Sequence, residues 1–161
     1  MVLNFNYTNT PYLYSKKSDP LQIMDIHGQI GDKDDDICIG YGNEQDKRLE
    51  ELKNRDDYET LRFIKSIYYP EKNRRRRLGL FLEATRFQVD IIGHSCGLSD
   101  GVLLNFIFEH PYCIQIIYHY HEDIQDHKNK MMNIYRHFND PQLFQKRVID
   151  FETSEKCPQW K

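Results

Sequence analysis

Three short polar segments, each directly following an apolar stretch, hold the side chains with the most chemical potential. They are Asn6-Tyr7-Thr8, His27-Gly28 and Gly93-His94-Ser95. An imidazole titrates near neutral pH and therefore suits general-base work. A glycine beside it lets a ligand approach the backbone closely. If the preceding stretches are neighbouring parallel strands, the sequence predicts that these segments share one cleft, because parallel strands end at a common edge.

The third segment also matches a nucleophile motif. Gly93-His94-Ser95-Cys96-Gly97 fits the G-x-S-x-G pattern of a strand-to-helix turn that exposes a catalytic serine. Ser95 would then need a downstream carboxylate and histidine, for which Asp123 or Asp126 and His137 are the candidates. Both carboxylates fall on a predicted helix directly behind one strand. A serine hydrolase is therefore the third and last of our hypotheses.

Two polar clusters resemble metal sites in residue type only. His119, His121, Asp123 and His127 have suitable donor atoms, but donor spacing alone does not make a closed site. We interpret them as a polar strand exit followed by a capped helix. The acidic run 32–36 lacks the central glycine and terminal glutamate of an EF-hand loop and is predicted to be a solvated turn. We expect no metal cofactor.

Composition and charge indicate an ordinary globular protein. Hydrophobic residues make up 39% and aromatic residues 13% of the 161 residues, which is enough for a buried core. The formal net charge of −3 gives no reason to expect nonspecific binding to nucleic acid or anionic lipid. Arg74–Arg77 could bind phosphate or RNA, but the run is interpreted as a solvated linker or helix start. The sequence has no Cys-x-x-Cys pair, signal peptide or apolar run of about 20 residues, which predicts a cytoplasmic protein with reduced thiols.

The order of apolar and helical segments predicts the fold class. Near-continuous apolar runs alternate with segments of helical spacing over 44–68, 74–86 and 122–138, and a helix capped by Ser99 or Asp100 ends before Pro111. This order predicts a single α/β domain over residues 1–161, with a mostly parallel Rossmann-like sheet covered by helices on both faces. Its predicted strands are Val2–Thr8, Ile23–Ile26, Ile37–Tyr41, Val89–Gly93 and Cys113–Tyr118, with a further short strand at Val148–Phe151.

Four blocks in this order resemble a known bacterial family. They are Leu3–Thr10, Asp25–Gly28, Ile39–Asn43 and Ile92–Asp100. Together they resemble the AbiH family of bacteriophage abortive-infection proteins, over residues 1–155. The same blocks look like a diverged sirtuin-type fold, as found in several bacterial defence proteins. The resemblance implies antiviral defence and an ancestral NAD hydrolysis.

The sirtuin-like resemblance also implies roles for individual residues. Asn6 would contact the nicotinamide end of NAD, and His27 would act as base on a ribose hydroxyl. The ribose and phosphate side would be lined by Gly93 and Ser95. Asp100 matches the aspartate that often follows this motif, and Thr8 stands where the first motif usually has an acidic residue. NAD would be a substrate.

One block that AbiH proteins share does not occur in this chain. It is an N-terminal Gly-Asn-Gly-Phe-Asp segment, the first strand and phosphate-cradling turn. We therefore expect the chain to be the C-terminal part of a longer domain, paired with itself or with a separate N-terminal fragment, and to hydrolyse NAD negligibly in isolation. The alternative to an NAD-consuming defence protein is a catalytically inactive binding or interaction module.

Overall fold

The molecule is built around pairs of parallel strands and the helices that cover them. The computed structural model describes residues 1–16, 18, 20–31, 37–42, 51, 53–54, 58–68 and 73–157. The acidic run 32–36, Asn43 and part of the predicted helical segment 44–68 (residues 44–50, 52 and 55–57) lie outside the described residues.

The first strand pair carries two of the polar segments at its carboxyl edge. β1 (Val2–Asn4) and β2 (Ile23–Asp25) are parallel, with Asn4 opposite Asp25. The chain between them includes a 3-10 helix, Thr10–Tyr14, with Pro11 in its first turn. Because both strands end at the same edge, the residues after Asn4 and after Asp25 emerge side by side.

The second strand pair is longer than the first. β3 (Phe87–Ile92) and β4 (Cys113–His119) are parallel, with Ile92 opposite His119. The C-terminal segment adds to this pair through single parallel bridges, Ile116 to Val148 and Tyr120 to Lys156. The helix between the strands gives the crossover that parallel strands require.

The helices bury apolar residues from both strand pairs in one core. That core joins Met24 and Ile26 beside β2 to Ile91 of β3, Ile116 of β4 and helical residues such as Leu78. None of the four cysteines forms a disulfide, and Cys38, Cys96 and Cys113 are buried. The described α-helices are α1 (Tyr58–Leu61), α2 (Lys65–Tyr68), α3 (Arg74–Ala84), α4 (Gly101–Phe108), α5 (Ile124–Tyr135) and α6 (Pro141–Arg147).

The predicted α/β class is confirmed, but the predicted five-stranded sheet is not what the structure contains. The described strands form two separate two-stranded parallel sheets. Among the described residues, the segment predicted as the Ile37–Tyr41 strand forms a single parallel bridge, from Tyr41 to Ile64. The segment predicted as the Val148–Phe151 strand likewise contributes a single bridge. Apolar runs predict burial well, but they do not say which neighbour supplies the backbone hydrogen bonds.

Helix positions follow the sequence pattern more closely. The basic run Arg74–Arg77 begins α3, as predicted, and the guanidinium of Arg75 lies 5.0 Å above the ring of Phe106. α6 was not predicted; Pro141 stands in its first turn and Asp140 caps it. Across the described part of the chain, the helices lack the length and apolar character that crossing a membrane would demand.

Candidate functional site

Four charged or titratable side chains meet where the two strand pairs end. We call His27, Lys65, His94 and Asp100 the charged cluster. His27 is 2% exposed, Lys65 5% and Asp100 7%. Burial of so many polar groups is costly unless each one is paired. Their mutual contacts are therefore the main physical feature of this region.

The Asp100 carboxylate is the centre of the charged cluster. Its Oδ1 lies 2.9 Å from both His27 Nε2 and Lys65 Nζ. Its Oδ2 accepts a hydrogen bond from the Ser99 hydroxyl at 3.3 Å and lies 3.5 Å from His94 Nε2. Burial alone would raise the pKa of this carboxyl. Hydrogen bonds from His27, His94 and Lys65 outweigh that effect and hold the pKa well below its usual range, so Asp100 is ionised.

The contacts of the two imidazoles indicate where their protons lie. His94 Nδ1 accepts a hydrogen bond from the Cys96 backbone N–H at 3.1 Å, so its proton is on Nε2, toward Asp100. His27 faces the same ionised carboxylate with Nε2 and therefore donates from that atom. His27 Nδ1 is buried and has no hydrogen-bond partner within the described residues. His27 thus presents an oriented ring whose second nitrogen can accept a proton.

Asp100 takes part in the charged cluster instead of capping a helix. It occupies the N-cap position of α4, but its side chain makes no cap hydrogen bond, and neither does that of Ser99. The predicted cap position is therefore right for Asp100, but the capping hydrogen bond is not made, because the carboxylate bonds to His27 and Lys65. The Val102 backbone N–H in the first turn of α4 donates instead to the carbonyl of Gly42 at 3.2 Å. The Val102 N–H is therefore already hydrogen-bonded and is not open to an anion bound at the N-terminus of α4.

Gly42 allows the chain to pass close enough to complete the charged cluster. A Cβ at this position would lie 2.2 Å from the carbonyl oxygen of Ser99. No side chain can be accommodated at that distance from backbone. The neighbouring Tyr41 is hydrogen-bonded to the start of α2, because the Tyr41 carbonyl accepts from the Lys65 backbone N–H at 2.9 Å. Close passage of residues 40–42 therefore places Lys65 beside Asp100.

Aromatic contacts join the carboxyl edges of the two strand pairs. Phe5, just past β1, packs on His94 just past β3, with ring centroids 4.3 Å apart. Phe5 also lies edge-on to His27 at 5.6 Å, and Tyr7 lies 6.2 Å from the same ring. Tyr7, His27 and His94, one from each of the three polar segments, therefore lie near one another, and Phe5 contacts both histidines.

Asn6 and Thr8 lie at this edge, but both are exposed. The Asn6 backbone N–H donates to Asn4 Oδ1 at 3.1 Å, and the Thr8 hydroxyl pairs with that of Thr10 at 3.0 Å. The buried residue that organises this turn is Asn4, whose amide donates to the Thr8 carbonyl and to Asp25 Oδ1. No contact joins Asn6 or Thr8 to the charged cluster within the described part of the chain.

Gly93 and Ser95 form the exposed side of the same region. Gly93 has φ +66°, a backbone conformation that favours glycine after a strand. Ser95 is exposed, and its carbonyl accepts a hydrogen bond from Asn133 at 3.1 Å. His137 bonds the carbonyl of Cys96, not the Ser95 hydroxyl.

The carboxylates nominated for a serine triad are also engaged elsewhere. Asp123 caps α5 by accepting from the backbone N–H groups of Gln125 and Asp126. Asp126 accepts from the Tyr118 hydroxyl and the His121 N–H. The structure therefore does not assemble the Ser95 triad.

The histidines after β4 have protein partners of their own. His119 Nε2 lies 2.9 Å from Asp90 Oδ1 on the neighbouring strand. His121 is exposed beside Glu122, and His127 is buried and faces Ser154. Over the ranges that the structure describes, no group of three potential metal ligands converges.

Sequence analysis assigned no role to two members of the charged cluster, Lys65 and His94. Lys65 lies in a stretch with helical apolar spacing, where lysine normally faces solvent, so nothing in the pattern distinguishes it. His94 lies inside the G-x-S-x-G match, which directed attention to Ser95 instead. Only the fold shows that both side chains turn toward Asp100.

The comparisons with known proteins agree with the order of these segments. The family profile described as "Bacteriophage abortive infection AbiH" matches residues 1–121, which include every residue of the charged cluster. No significant match was found among curated proteins or among solved structures. The chain therefore belongs to the AbiH family of bacteriophage abortive-infection proteins.

Proposed function

We propose that this chain protects bacteria against phage by consuming a nucleotide at the charged cluster, with NAD as the substrate and His27 as the general base. The observation that carries the proposal is the His27–Asp100 pair. A buried, ionised carboxylate orients the imidazole through Nε2, and Nδ1 has no described partner. This is the arrangement that a general base requires.

The chain's own residues suit parts of such a reaction. His27 Nδ1 can accept the proton of a ribose hydroxyl, and Asp100 stabilises the imidazolium that results. The resemblance to sirtuin-type proteins supports the choice of NAD. The exposed Asn6 and Ser95, with Gly93, flank the approach to this region and are the proposed nucleotide contacts. Thr8 is proposed only as a neighbour of Asn6.

Burial explains why catalysis would need a trigger. His27 is 2% exposed, and the rings of Phe5 and Tyr7 pack near it. A substrate can reach Nδ1 only if these rings move, and movements of this kind commonly gate enzymes. We therefore expect negligible NAD turnover by the isolated chain and turnover in infected cells.

A second candidate function is a binding module without catalysis. The favouring observation is that Lys65 neutralises Asp100 at 2.9 Å in a closed interior. Such an ion pair also serves a purely structural purpose. On this alternative, the charged cluster fixes the fold, and phage protection depends on an exposed surface.

The test measures phage plaques and cellular NAD in bacteria that express the full chain. We expect protection and a fall in NAD after infection, both lost in His27→Ala. His121→Ala is the matched control, because His121 is an exposed histidine outside the charged cluster. Protection without NAD loss, or protection retained in a soluble His27→Ala variant, would reject the catalytic proposal and favour the binding module.

A further inference from the structure

A pocket of about 460 Å³ opens beside the charged cluster, and none of its lining residues has a role in the proposed reaction. Two arginines and two aromatic rings are among its lining residues, together with the segment 37–39. The volume falls within the range of small-molecule sites. The side chains in question are Arg62, Arg74, Phe63, Tyr68, Ile37 and Ile39.

The lining chemistry separates into a cationic part and an apolar part. Arg62 and Arg74 bring two guanidinium groups, whose planar donors match phosphate oxygens in pairs. Phe63, 53% exposed, and Ile39, 67% exposed, supply apolar surface that solvent would otherwise cover. A ligand that suits both parts carries phosphate at one end and a flat or apolar group at the other.

Local contacts hold Arg62 at the mouth of this pocket. Its guanidinium lies 5.0 Å from the centre of the Phe63 ring and 2.8 Å from the Glu59 carboxylate. Both partners of the ion pair are mostly exposed, and such pairs are weak. A phosphate group, with higher charge than a carboxylate, can therefore replace Glu59 as the partner of Arg62.

Backbone contacts connect the pocket to His27. Cys38 lines the pocket, and its N–H donates to the carbonyl of His27 at 2.8 Å. The Tyr7 hydroxyl donates to the Cys38 carbonyl at 3.4 Å, and the Tyr7 ring lies near His27. A ligand in the pocket would therefore lie one residue away from the proposed general base.

We infer that this pocket binds a nucleoside diphosphate group, with the phosphates on Arg62 and Arg74 and the base against Phe63 and Tyr68. The inference deepens the proposed function and rests on it for the role of this group as the non-reacting half of the substrate. The pocket thereby supplies phosphate-binding donors from side chains instead of from a glycine-rich turn.

The test is calorimetric titration of the purified full chain with ADP, pyrophosphate and adenosine. We expect ADP to bind, and Arg62→Gln and Arg74→Gln each to weaken its binding by about tenfold, the usual effect of losing a charge-assisted hydrogen bond. Arg76→Gln is the matched control, because Arg76 is an exposed arginine of α3 that does not line the pocket. Glu59→Gln should strengthen ADP binding, because it releases Arg62.

The aromatic part has its own prediction. Phe63→Ala should weaken ADP binding but leave pyrophosphate binding unchanged. Absence of ADP binding, equal weakening by Arg76→Gln, or adenosine binding as tight as that of ADP would each overturn the inference. All variants concern exposed or half-exposed side chains, and an unchanged circular dichroism spectrum verifies that they fold.

The two proposals can fail separately. In His27→Ala, ADP binding should persist while NAD loss in infected cells disappears. ADP binding with no NAD loss in the wild type would reject the catalytic proposal and keep the pocket. NAD loss that depends on His27, combined with ADP affinity that is indifferent to Arg62 and Arg74, would reject the pocket alone.

Discussion

Two of the buried histidines, His27 and His127, lie in contrasting surroundings. His27 belongs to the charged cluster, among an ionised carboxylate and a lysine, and its Nδ1 has no described partner. His127 lies in what we call the aromatic cluster, formed by His127, Tyr118, Tyr120, Phe151 and Ser154. The two imidazoles are almost equally buried, at 2% and 3% exposed.

The aromatic cluster has the features of a structural contact. The Ser154 hydroxyl donates to the Asp150 carbonyl at 2.7 Å, so it accepts from His127 Nε2 at 3.3 Å. This bond ties the C-terminal segment to α5. Burial lowers the pKa of His127, partly opposed by Asp126 and Asp150. The comparison teaches that burial of a histidine is not itself a functional signal; the charge of its partners distinguishes the two sites.

The largest expected difference between the clusters is in stability. Asp100→Asn leaves the Lys65 ammonium buried without a counter-charge, which should cost about 3–5 kcal/mol in the free energy of unfolding. Ser154→Ala removes two neutral hydrogen bonds and should cost about 1–3 kcal/mol. Urea denaturation of both variants measures the two losses. Equal losses would mean that the charged cluster is no more dependent on charge than the aromatic cluster.

Coupling within the charged cluster gives the second prediction. Replacing Lys65 by Met in the Asp100→Asn background removes the buried cation that lacks a counter-charge. The free energy of unfolding lost by the double variant should therefore be smaller than the sum of the two single losses, by about 1–3 kcal/mol. A full double-mutant cycle by urea denaturation measures this term. Strict additivity would show that Lys65 and Asp100 do not interact, despite the 2.9 Å between Nζ and Oδ1.

The backbone beside the charged cluster should be sensitive in a way that regular strands are not. Gly93→Ala places a Cβ at φ +66°, where space is open but the conformation is unfavourable, and should cost about 1–2 kcal/mol. Gly97→Ala is the matched control, because Gly97 has φ −71° and a Cβ there makes ordinary contacts. Thermal unfolding compares the two. Equal effects would indicate that space rather than conformation decides this turn.

The smallest predicted effect separates the clusters by pH. Because the pKa of His127 is lowered by folding, the unfolded chain binds its proton first as pH falls below the ordinary value of 6.5, and stability declines there. His127→Gln should remove part of that decline, by about 1 kcal/mol or less between about pH 7 and about pH 5. His137, whose pKa burial also lowers, accounts for a further part.

Asp100 should act in a different pH window. Its pKa is lowered, so its stabilising contribution is present above the ordinary carboxyl value of 3.8 and is lost as pH falls below it. Asp100→Asn should therefore leave the His127 contribution to the decline between about pH 7 and about pH 5 intact. Urea denaturation midpoints of Asp100→Asn and His127→Gln, measured from about pH 7 to about pH 5, show which residue causes the decline in stability. A decline that vanishes in Asp100→Asn but persists in His127→Gln would reverse the assignment.

Two of the strands that the sequence predicted have a clear physical cause, a run of apolar residues. Phe87–Ile92 and Cys113–His119 carry near-continuous apolar residues, and both are strands of one parallel pair. Ile37–Tyr41 has a similar pattern, but within the part of the chain that the structure describes it forms a single bridge. Local pattern records burial, whereas strand pairing depends on what lies beside the segment, which distant parts of the chain decide.

For the same reason, the sequence predicted only some of the residues that meet at the candidate site. His27 and Asp100 were singled out by their motifs, and the structure brings them to 2.9 Å. Asn6, Thr8 and Ser95 were singled out equally, yet they are exposed and make no contact with that pair among the described residues. A motif fixes a residue type at a strand end, but side-chain direction within the turn depends on packing against the opposite strand pair.

The sequence by itself determined the α/β class, the helix starting at Arg74 and the chemistry available at three strand ends, because these follow from local spacing and residue type. Only the tertiary structure decided that Asp100 bonds to His27 and Lys65 instead of capping α4. That choice needs Gly42 to pass within backbone contact of Ser99, so that a lysine 35 residues away in sequence reaches the carboxylate. The charge and burial of the Asp100 side chain thus depend on the close approach of two distant parts of the chain, which no local sequence pattern encodes.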